Sequence, residues 1–281
     1  MMNNPILFTD DQFNPQNAGA CHLLIHLETS SYSYAIVDKN NGRLNIVAKN
    51  YFPENASIHS DLSRLEILRA ENEFVNLDFE KVKVSLQTQA FTFVPQELYS
   101  QADLPQYSKF IGAKPESTLL NDNIHSFGIM GISAVDAELK IALQNAFTDP
   151  LIVAQANPII AGVHRLRMNG NPVQLFLNFN IDSFEAVVIK NDTLEFYNIF
   201  EIATADEFNY FLLNLITEFS IDLSHGVIVS GEIESQNERY QRLQKYFESI
   251  LLAETLTNSD EAFKGFKSHV FFSLLSLDLC E

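Results

Sequence analysis

The chain has 281 residues, of which 18 are basic and 36 acidic, and its formal net charge of −18 would repel a nucleic acid. Its 10 glycines are about half the number expected at an average usage of about 7%, which disfavours glycine-rich phosphate loops. Two cysteines far apart, no basic N-terminal leader and no run of about 18 apolar residues predict a cytoplasmic protein without a membrane span.

Three β-rich runs begin the first half of the chain: residues 21–27, 32–38 and 43–51. The turn between the last two contains Asn41-Gly42, a strong hairpin signal, so the runs predict an antiparallel three-stranded meander. A helix is predicted next from the apolar spacing of Ile58, Leu62, Leu65 and Leu68. Two strands follow, at 82–86 and ending at Pro95, and Asp136 begins a further predicted helix.

The second half repeats this order of elements. Its β-rich runs are residues 173–179, 184–190 and 193–200. A capping box from Thr204 to Glu207 predicts a helix, and residues 226–231 predict a short buried strand. Another helix is predicted from apolar residues at helical spacing: Tyr240, Leu243, Phe247 and Ile250. Between the halves, Pro158 lies in the first turn of a predicted connecting helix.

The repeat predicts two similar lobes, which agrees with a length of about two domains. An ungapped alignment that pairs Glu28 with Asn180 also pairs the serines three residues later. We therefore predict an α/β protein whose lobes are related by a pseudo-twofold axis, each a mixed sheet flanked by helices. The predicted lobes are 1–165 and 166–281, with an irregular segment at about 95–131 in the first.

The order of elements resembles that of the actin-like ATPase superfamily, whose lobes are ribonuclease H-like. This superfamily includes Hsp70 chaperones, sugar kinases and pilus-assembly proteins of the PilM type. Three stretches carry the resemblance: 25–31 at the place of the first phosphate loop, 178–183 at the place of the second, and 229–232 at the place of the adenosine motif. The resemblance implies an actin-like fold with a cleft between the lobes.

More narrowly, the chain is similar to the DUF3822 family of Bacteroidetes, which implies a bacterial protein of this fold. The similarity lies in Phe93-Val94-Pro95 followed by Glu97, and in the terminal Leu279-Cys280-Glu281. The positions that match the superfamily's loops are the candidate residues of a vestigial cleft: His26, Glu28, Thr29, Ser30, Asn178, Asn180, Asp182, Ser183, Gly231 and Glu232.

The three loops depart from the pattern of the superfamily. Phosphate loops need glycines, which let backbone N–H groups approach the ligand, and a carboxylate that holds magnesium. His26 and Asn178 stand where the two loop aspartates belong, and Glu28 stands at a loop glycine. Together, Glu28, Asp182 and Glu232 would place up to three negative charges near a bound triphosphate. Each charge pair would cost about 3 to 4 kcal/mol at an effective dielectric near 20.

Two functional hypotheses follow. The favoured one is a pseudo-ATPase without a catalytic residue, metal or cofactor, which serves as an interaction or scaffold protein for a basic protein partner. The partner would bind at the inter-lobe cleft or at segment 95–131. The alternative is a divergent ATPase or kinase that binds Mg-ATP with Glu28, Asp182 or Glu232 as magnesium ligands. The sequence does not predict an oligomeric state.

Overall fold

The computed structural model describes residues 5–52, 61–168, 174–254, 263 and 265–281. The strands are β1 (Ile6–Thr9), β2 (Cys21–Leu27), β3 (Ser31–Asp38), β4 (Leu44–Tyr51), β5 (Lys81–Leu86), β6 (Phe91–Pro95), β7 (Ser117–Ile124), β8 (Ile129–Asp136), β9 (Leu151–Ala154), β10 (Leu175–Phe179), β11 (Ser183–Lys190), β12 (Thr193–Glu201), β13 (Val227–Gly231) and β14 (Ile250–Leu252). The α-helices are α1 (Asp61–Glu71), α2 (Leu104–Phe110), α3 (Ala137–Ala146), α4 (Ala156–Met168), α5 (Ala205–Glu218), α6 (Glu238–Leu243) and α7 (Phe272–Ser276).

Contacts within the chain group it into two units. Of the described residues, the first unit contains 5–52, 61–158, 263, 265–266 and 274–281, and the second contains 159–168, 174–254 and 267–273. The division falls in the first turn of α4, between Pro158 and Ile159, and residues 274–281 return to the first unit. The lobes 1–165 and 166–281 stay a prediction from the sequence.

A buried lysine holds the C-terminal residues on the first unit. Lys83 Nζ donates to the carbonyl oxygens of Asp278, at 2.7 Å, and Cys280, at 2.9 Å. His22 Nδ1 lies 2.8 Å from the Asp278 carboxylate. Because these partners lie about 200 residues apart along the chain, no local sequence pattern predicts this return.

The two large sheets share one strand order. The first is β1-β4-β3-β2-β5-β9 and the second is β12-β11-β10-β13-β14. Apart from the edge strand β1, the strands correspond one to one. Among these corresponding strands, two antiparallel pairings are followed by two parallel pairings in each sheet. The repeat of element order predicted from the sequence is therefore confirmed, and both sheets are mixed.

The correspondence extends to the hairpin that opens each sheet. We call residues 28–31 the first turn and residues 180–183 the second turn. In each, the N–H of the first residue donates to the carbonyl oxygen of the last, at 2.9 Å in both turns. The sequence alignment thus pairs the two donor residues, Glu28 and Asn180, and the two acceptor residues, Ser31 and Ser183.

One face of each large sheet packs against helices. In the first unit, Leu68 of α1 and Leu143 of α3 are fully buried in a core with alternate residues of β2 to β5. In the second unit, Phe208 and Leu212 of α5 occupy the same role. The predicted capping box that begins α5 is present at Thr204, and the apolar stripe of the helix packs in this core.

Residues 95–131 are not irregular, in contrast to the expectation from the sequence. They contain α2, all of β7 and parts of β6 and β8, and these strands form an antiparallel sheet of order β6-β8-β7. β7 carries Asn121, Asp122 and Asn123, which are residue types depleted in strands, and β8 carries Gly131 near its start. The local sequence therefore did not predict these strands. Pairing with neighbouring strands stabilises them.

The helix predicted across Tyr240 to Ile250 is shorter than its apolar spacing suggests. α6 ends at Leu243, and Ile250 begins β14, which pairs in parallel with β13. Phe247 stays buried in the second core. The spacing therefore marked residues that pack in this core, but the chain leaves the helix after Leu243 and Ile250 belongs to a strand. The predicted helix residue Ile58 lies outside the described residues.

Candidate functional site

A buried ion-pair cluster lies at the first turn. The Glu28 side chain is only 7% exposed, with its carboxylate 3.3 Å from Lys49 Nζ and 3.5 Å from His26 Nε2. The Ser31 hydroxyl donates to the same carboxylate. Burial alone would raise the pKa of Glu28, but Lys49, then His26 and Ser31, hold that pKa well below its usual range. The chain thus neutralises this charge itself.

A row of polar side chains crosses the first sheet beside Glu28. Cross-strand register aligns four of them on β4, β3, β2 and β5: Lys49, Ser33, His26 and Ser85. Within the part of the chain that the structure describes, His26 Nδ1 and Ser85 Oγ are buried without a hydrogen-bond partner. A buried polar group left unsatisfied costs about 1 to 3 kcal/mol. The hydrogen-bonding capacity of this row is therefore only partly used among the described residues.

The backbone of the first turn is bound by a side chain from β5's end. Gln87 Oε1 accepts the N–H of Thr29 at 2.8 Å and the Thr29 hydroxyl at 3.2 Å. Phosphate loops direct such N–H groups at the ligand. In this protein the Gln87 side-chain oxygen accepts the Thr29 N–H, so this N–H group is already engaged. The candidate residue Ser30 is also engaged within the chain, because its carbonyl oxygen accepts the N–H of Phe52 at 2.9 Å.

The second sheet carries a polar row at the corresponding strand positions: Asn178, Glu185 and Ser230. The Ser230 hydroxyl donates to Asn178 Oδ1 at 2.7 Å, and Asn178 Nδ2 donates to one Glu185 oxygen at 2.7 Å. The Tyr197 hydroxyl donates to the other Glu185 oxygen at 2.7 Å. All four side chains are buried. Asn178 therefore serves a hydrogen-bond network instead of presenting a carboxylate to a metal.

An arginine at the start of α6 binds the second turn. Arg239 donates to the carbonyl oxygen of Asn180 at 2.8 Å and to that of Ile181 at 2.7 Å. Burial lowers the pKa of Arg239, and the nearby Asp182 opposes this shift. Ser183 Oγ accepts from the Asn180 side chain at 3.2 Å. Two carbonyl oxygens of this turn thus bind the chain's own guanidinium.

Gly231 has a structural reason to be glycine. Its φ is +81°, and a Cβ there would lie 2.0 Å from the Phe179 carbonyl oxygen. The same oxygen accepts the N–H of Glu232 at 2.7 Å, and the Glu232 side chain is half-buried. The glycine that matches the adenosine motif is therefore required by the close approach of β13 to β10.

These contacts do not fit Mg-ATP at the two turns. The first turn offers a carboxylate already paired with Lys49 and an N–H already bound by Gln87. The second turn offers carbonyl oxygens that Arg239 binds. At the first turn, a phosphate would have to displace Gln87 from the Thr29 N–H and separate Glu28 from Lys49, which is costly for a buried charge.

The first unit also contains a cavity of about 270 Å³ at the C-terminal ends of β2 and β5. Its floor is formed by buried apolar side chains: Leu27, Leu86, Ala134, Val135 and Leu139. Two cations, Arg64 and Lys114, and two carboxylates, Glu116 and Asp136, lie around its polar rim. Gln87, which binds the first turn, lines the same cavity.

Comparison with known proteins identifies the family. A profile described as "Protein of unknown function (DUF3822)" matches residues 10–250. The chain belongs to the DUF3822 family. No curated protein matches its sequence.

Several solved structures resemble this DUF3822 protein. One is a Bacteroides thetaiotaomicron protein with an actin-like ATPase fold and unknown function, with 14% identity, a TM-score of 0.74, and coverage of 96% of this chain and 100% of that chain. A chain of the PilM-PilN type IV pilus biogenesis complex matches with 14% identity, a TM-score of 0.66, and coverage of 92% and 97%. The ethanolamine utilization protein EutJ from Carboxydothermus hydrogenoformans matches with 8% identity, a TM-score of 0.50, and coverage of 93% and 89%.

At these identities the likeness concerns the fold, so the DUF3822 protein has the actin-like ATPase fold that its element order and loops implied. Within the described part of the chain, no helix is both long and apolar enough to cross a lipid bilayer.

The sequence analysis located the two turns but missed the side chains that bind them. His26, Glu28, Thr29 and Ser30 lie together in the first unit, and the other six candidates lie together in the second. Their role as a shared cleft stays a prediction. Lys49, Gln87 and Arg239 were missed because each lies 21 to 59 residues from its partner. The lysine that follows the apolar residues 46–48 of β4 was one available signal.

Proposed function

We propose that the DUF3822 protein is a non-catalytic member of the actin-like ATPase fold that serves as an interaction or scaffold protein. The observation that carries this proposal is the internal use of both turns. Lys49, Gln87 and Arg239 engage the groups that a nucleotide would need. The fold is retained, but the positions of its phosphate loops bind the protein's own side chains. Its surface can still bind another protein.

The partner that fits this proposal is a protein with a basic surface. The net charge of −18 steers a basic protein toward the chain and makes the association weaken as salt rises. The solved PilM-PilN structure is itself a complex, and its fold is the one found here. This likeness supports a binding role without naming the partner.

Thermal unfolding with Mg-ATP, Mg-GTP and inorganic phosphate tests the non-catalytic part. A ligand at about 100 times its Kd stabilises a folded protein by about 2.7 kcal/mol, and we expect no saturable stabilisation from any of the three. The alternative is an ATPase or kinase with Glu28, Asp182 or Glu232 as magnesium ligands. A saturable shift that disappears in Asp182→Asn or Glu232→Gln, and persists in the exposed control Glu195→Gln, would establish that alternative.

Affinity purification from the native cell tests the partner. A co-purifying protein is identified by mass spectrometry, and its binding is then measured by calorimetry with purified components at low and moderate salt. We expect affinity to fall with salt and to fall further in the charge-reversed variant Asp182→Lys/Glu232→Lys. The absence of any partner above background, or binding that ignores both salt and charge reversal, contradicts the proposal.

A further inference from the structure

The outer strand of the first large sheet, β9, ends in a contact with the three-stranded sheet. Gln155, which follows β9, donates its main-chain N–H to Leu86 of β5 at 3.0 Å. The N–H of Ala154 therefore faces away from β5, because successive N–H groups along a strand point to opposite sides. Its acceptor is a side chain, the Asp122 carboxylate of β7, at 3.2 Å. One carboxylate thus joins the two sheets.

The surroundings of Asp122 do little to compensate its charge. The residue is partly buried, and it forms no ion pair with any of the basic side chains that the structure describes. Lys140 of α3 favours the ionised form without pairing with it, and β9 carries no titratable side chain. The Cys280 thiol, which also interacts with Asp122, stays neutral near pH 6 because burial raises its pKa to about 12.

The contact binds a proton more tightly than a free aspartate does. Burial raises the pKa of Asp122 from its ordinary value of 3.8 to about 6, and the hydrogen bond from Ala154 and the charge of Lys140 only partly oppose this shift. A carboxyl group released into water would return toward the ordinary value. By linkage, protonation therefore stabilises the contact, and this stabilisation is fully present below pH 3.8 and is lost as the pH rises through about 6.

The same end of β9 carries a second junction to the three-stranded sheet, and this one is neutral. The Gln155 side chain accepts the N–H of Thr88 at 2.9 Å and donates to the Thr88 carbonyl oxygen at 2.8 Å. The Thr88 hydroxyl donates to the carbonyl oxygen of Ala134 in β8 at 2.7 Å. Of these two junctions, the one at Asp122 alone can take up a proton.

We propose that the Asp122 carboxyl group and the N–H of Ala154 form a proton-sensitive latch, which tightens the docking of the three-stranded sheet on β9 when Asp122 takes up a proton. The latch controls how firmly this sheet, and with it most of segment 95–131, is held on the first large sheet. β7 suits such a role because it pairs with β8 alone and is rich in residue types that are depleted in strands. The latch acts in the same way whatever the protein binds.

Hydrogen exchange of the Ala154 amide in the full-length protein, corrected for the intrinsic effect of pH, measures how often the latch opens. In the wild type we expect protection to rise about tenfold from about pH 7 to about pH 5. Asp122→Asn keeps an oxygen for the Ala154 N–H without a charge, so its protection should be at least that of the wild type at about pH 5 and should change less than about twofold. Asp122→Ala removes the acceptor and should weaken protection at both pH values. The matched control Asp78→Asn, which removes an exposed carboxylate in the same unit, should behave as the wild type.

Titration of the Asp122 carboxyl carbon by NMR in the wild type should give a midpoint near 6, and it decides even if a variant does not fold. A midpoint below about 4.5 overturns the proposal, as does protection of the Ala154 amide that follows pH equally in Asp122→Asn and the wild type. Histidines that titrate in this range affect both proteins alike. The amides of β10 and β13 in the second unit report global unfolding, and a parallel rise in their protection would also overturn the proposal.

Discussion

The first and second turns are each closed by the same kind of main-chain hydrogen bond, but the buried carboxyl group of the first turn and the one two residues after the second turn have different partners. Glu28 is paired with the charge of Lys49 at 3.3 Å. Glu185, beside the second turn, accepts two hydrogen bonds of 2.7 Å from Asn178 and Tyr197. An ion pair depends on the charge of its partner, whereas a hydrogen bond from an amide or a phenol depends on its geometry. The two regions should therefore respond differently to substitution of these partners.

The largest difference is expected when the cation of the first turn is removed. Lys49→Met leaves the Glu28 carboxylate buried and without its main counter-charge, and breaking such a pair typically costs about 3 to 5 kcal/mol. Urea unfolding measures this loss. The control Lys190→Met removes an exposed lysine at the end of β11 and should change stability by less than about 0.5 kcal/mol. A loss below about 1 kcal/mol in Lys49→Met would place this pair among those that contribute little.

The pH dependence of stability sharpens the same contrast. The folded pKa of Glu28 lies well below its ordinary value of 4.5 because Lys49, His26 and Ser31 outweigh the opposing effect of burial. The ionised carboxylate therefore stabilises the fold above that ordinary value, and this stabilisation is lost as pH falls through the folded pKa. The unfolding free energy of the wild type should decline more steeply below pH 4.5 than that of Lys49→Met/Glu28→Gln. Parallel curves would show that Glu28 is not the group responsible.

A smaller effect is expected in the polar row beside the second turn. Asn178→Ala leaves the Ser230 hydroxyl and one Glu185 oxygen without their amide partner, for a loss of about 2 to 3 kcal/mol. The exposed Asn214→Ala in α5 is the control, and calorimetric unfolding is the measurement. A change in Asn178→Ala no larger than in the control would mean that the network adds no stability.

The smallest effect is a difference in sign between two corresponding serines. Ser230 is fully buried and donates to Asn178 at 2.7 Å, so Ser230→Ala should destabilise the protein by about 1 kcal/mol. Ser85 is equally buried, but its hydroxyl lacks a partner among the described residues. Ser85→Ala should therefore leave stability unchanged or raise it. Destabilisation of similar size in both variants, measured by urea unfolding, would indicate that an internal water satisfies Ser85.

The two units also show which parts of the fold are readable without a structure. The strands at 21–27 and 226–231 and the start of α5 at Thr204 are marked by residues adjacent in sequence, and the structure confirms them. No comparable signal from neighbouring residues predicted β7 or β14. Both depend on pairing with a neighbouring strand, since β7 is rich in turn-forming residues and β14 has only three residues.

The same distinction applies to the candidate site. The departures from the phosphate-loop pattern at His26, Glu28 and Asn178 could be read directly, because each is a residue type at a known position. The side chains that bind the turns could not. Gln87 and Arg239 each lie near the end of an element, where a polar residue is ordinary, and their function comes from the turn that the fold brings to them.

By itself, the sequence of this DUF3822 protein determined the repeated order of strands and helices, because hydrophobic periodicity and capping signals act between neighbouring residues. It also determined that the loops lack the glycines and aspartates of a nucleotide site. Only the tertiary structure decided that Lys49 neutralises Glu28, that residues 274–281 return to the first unit, and that a cavity opens beside α3. Each of these depends on groups far apart in sequence, and their energies arise only once burial brings them into contact.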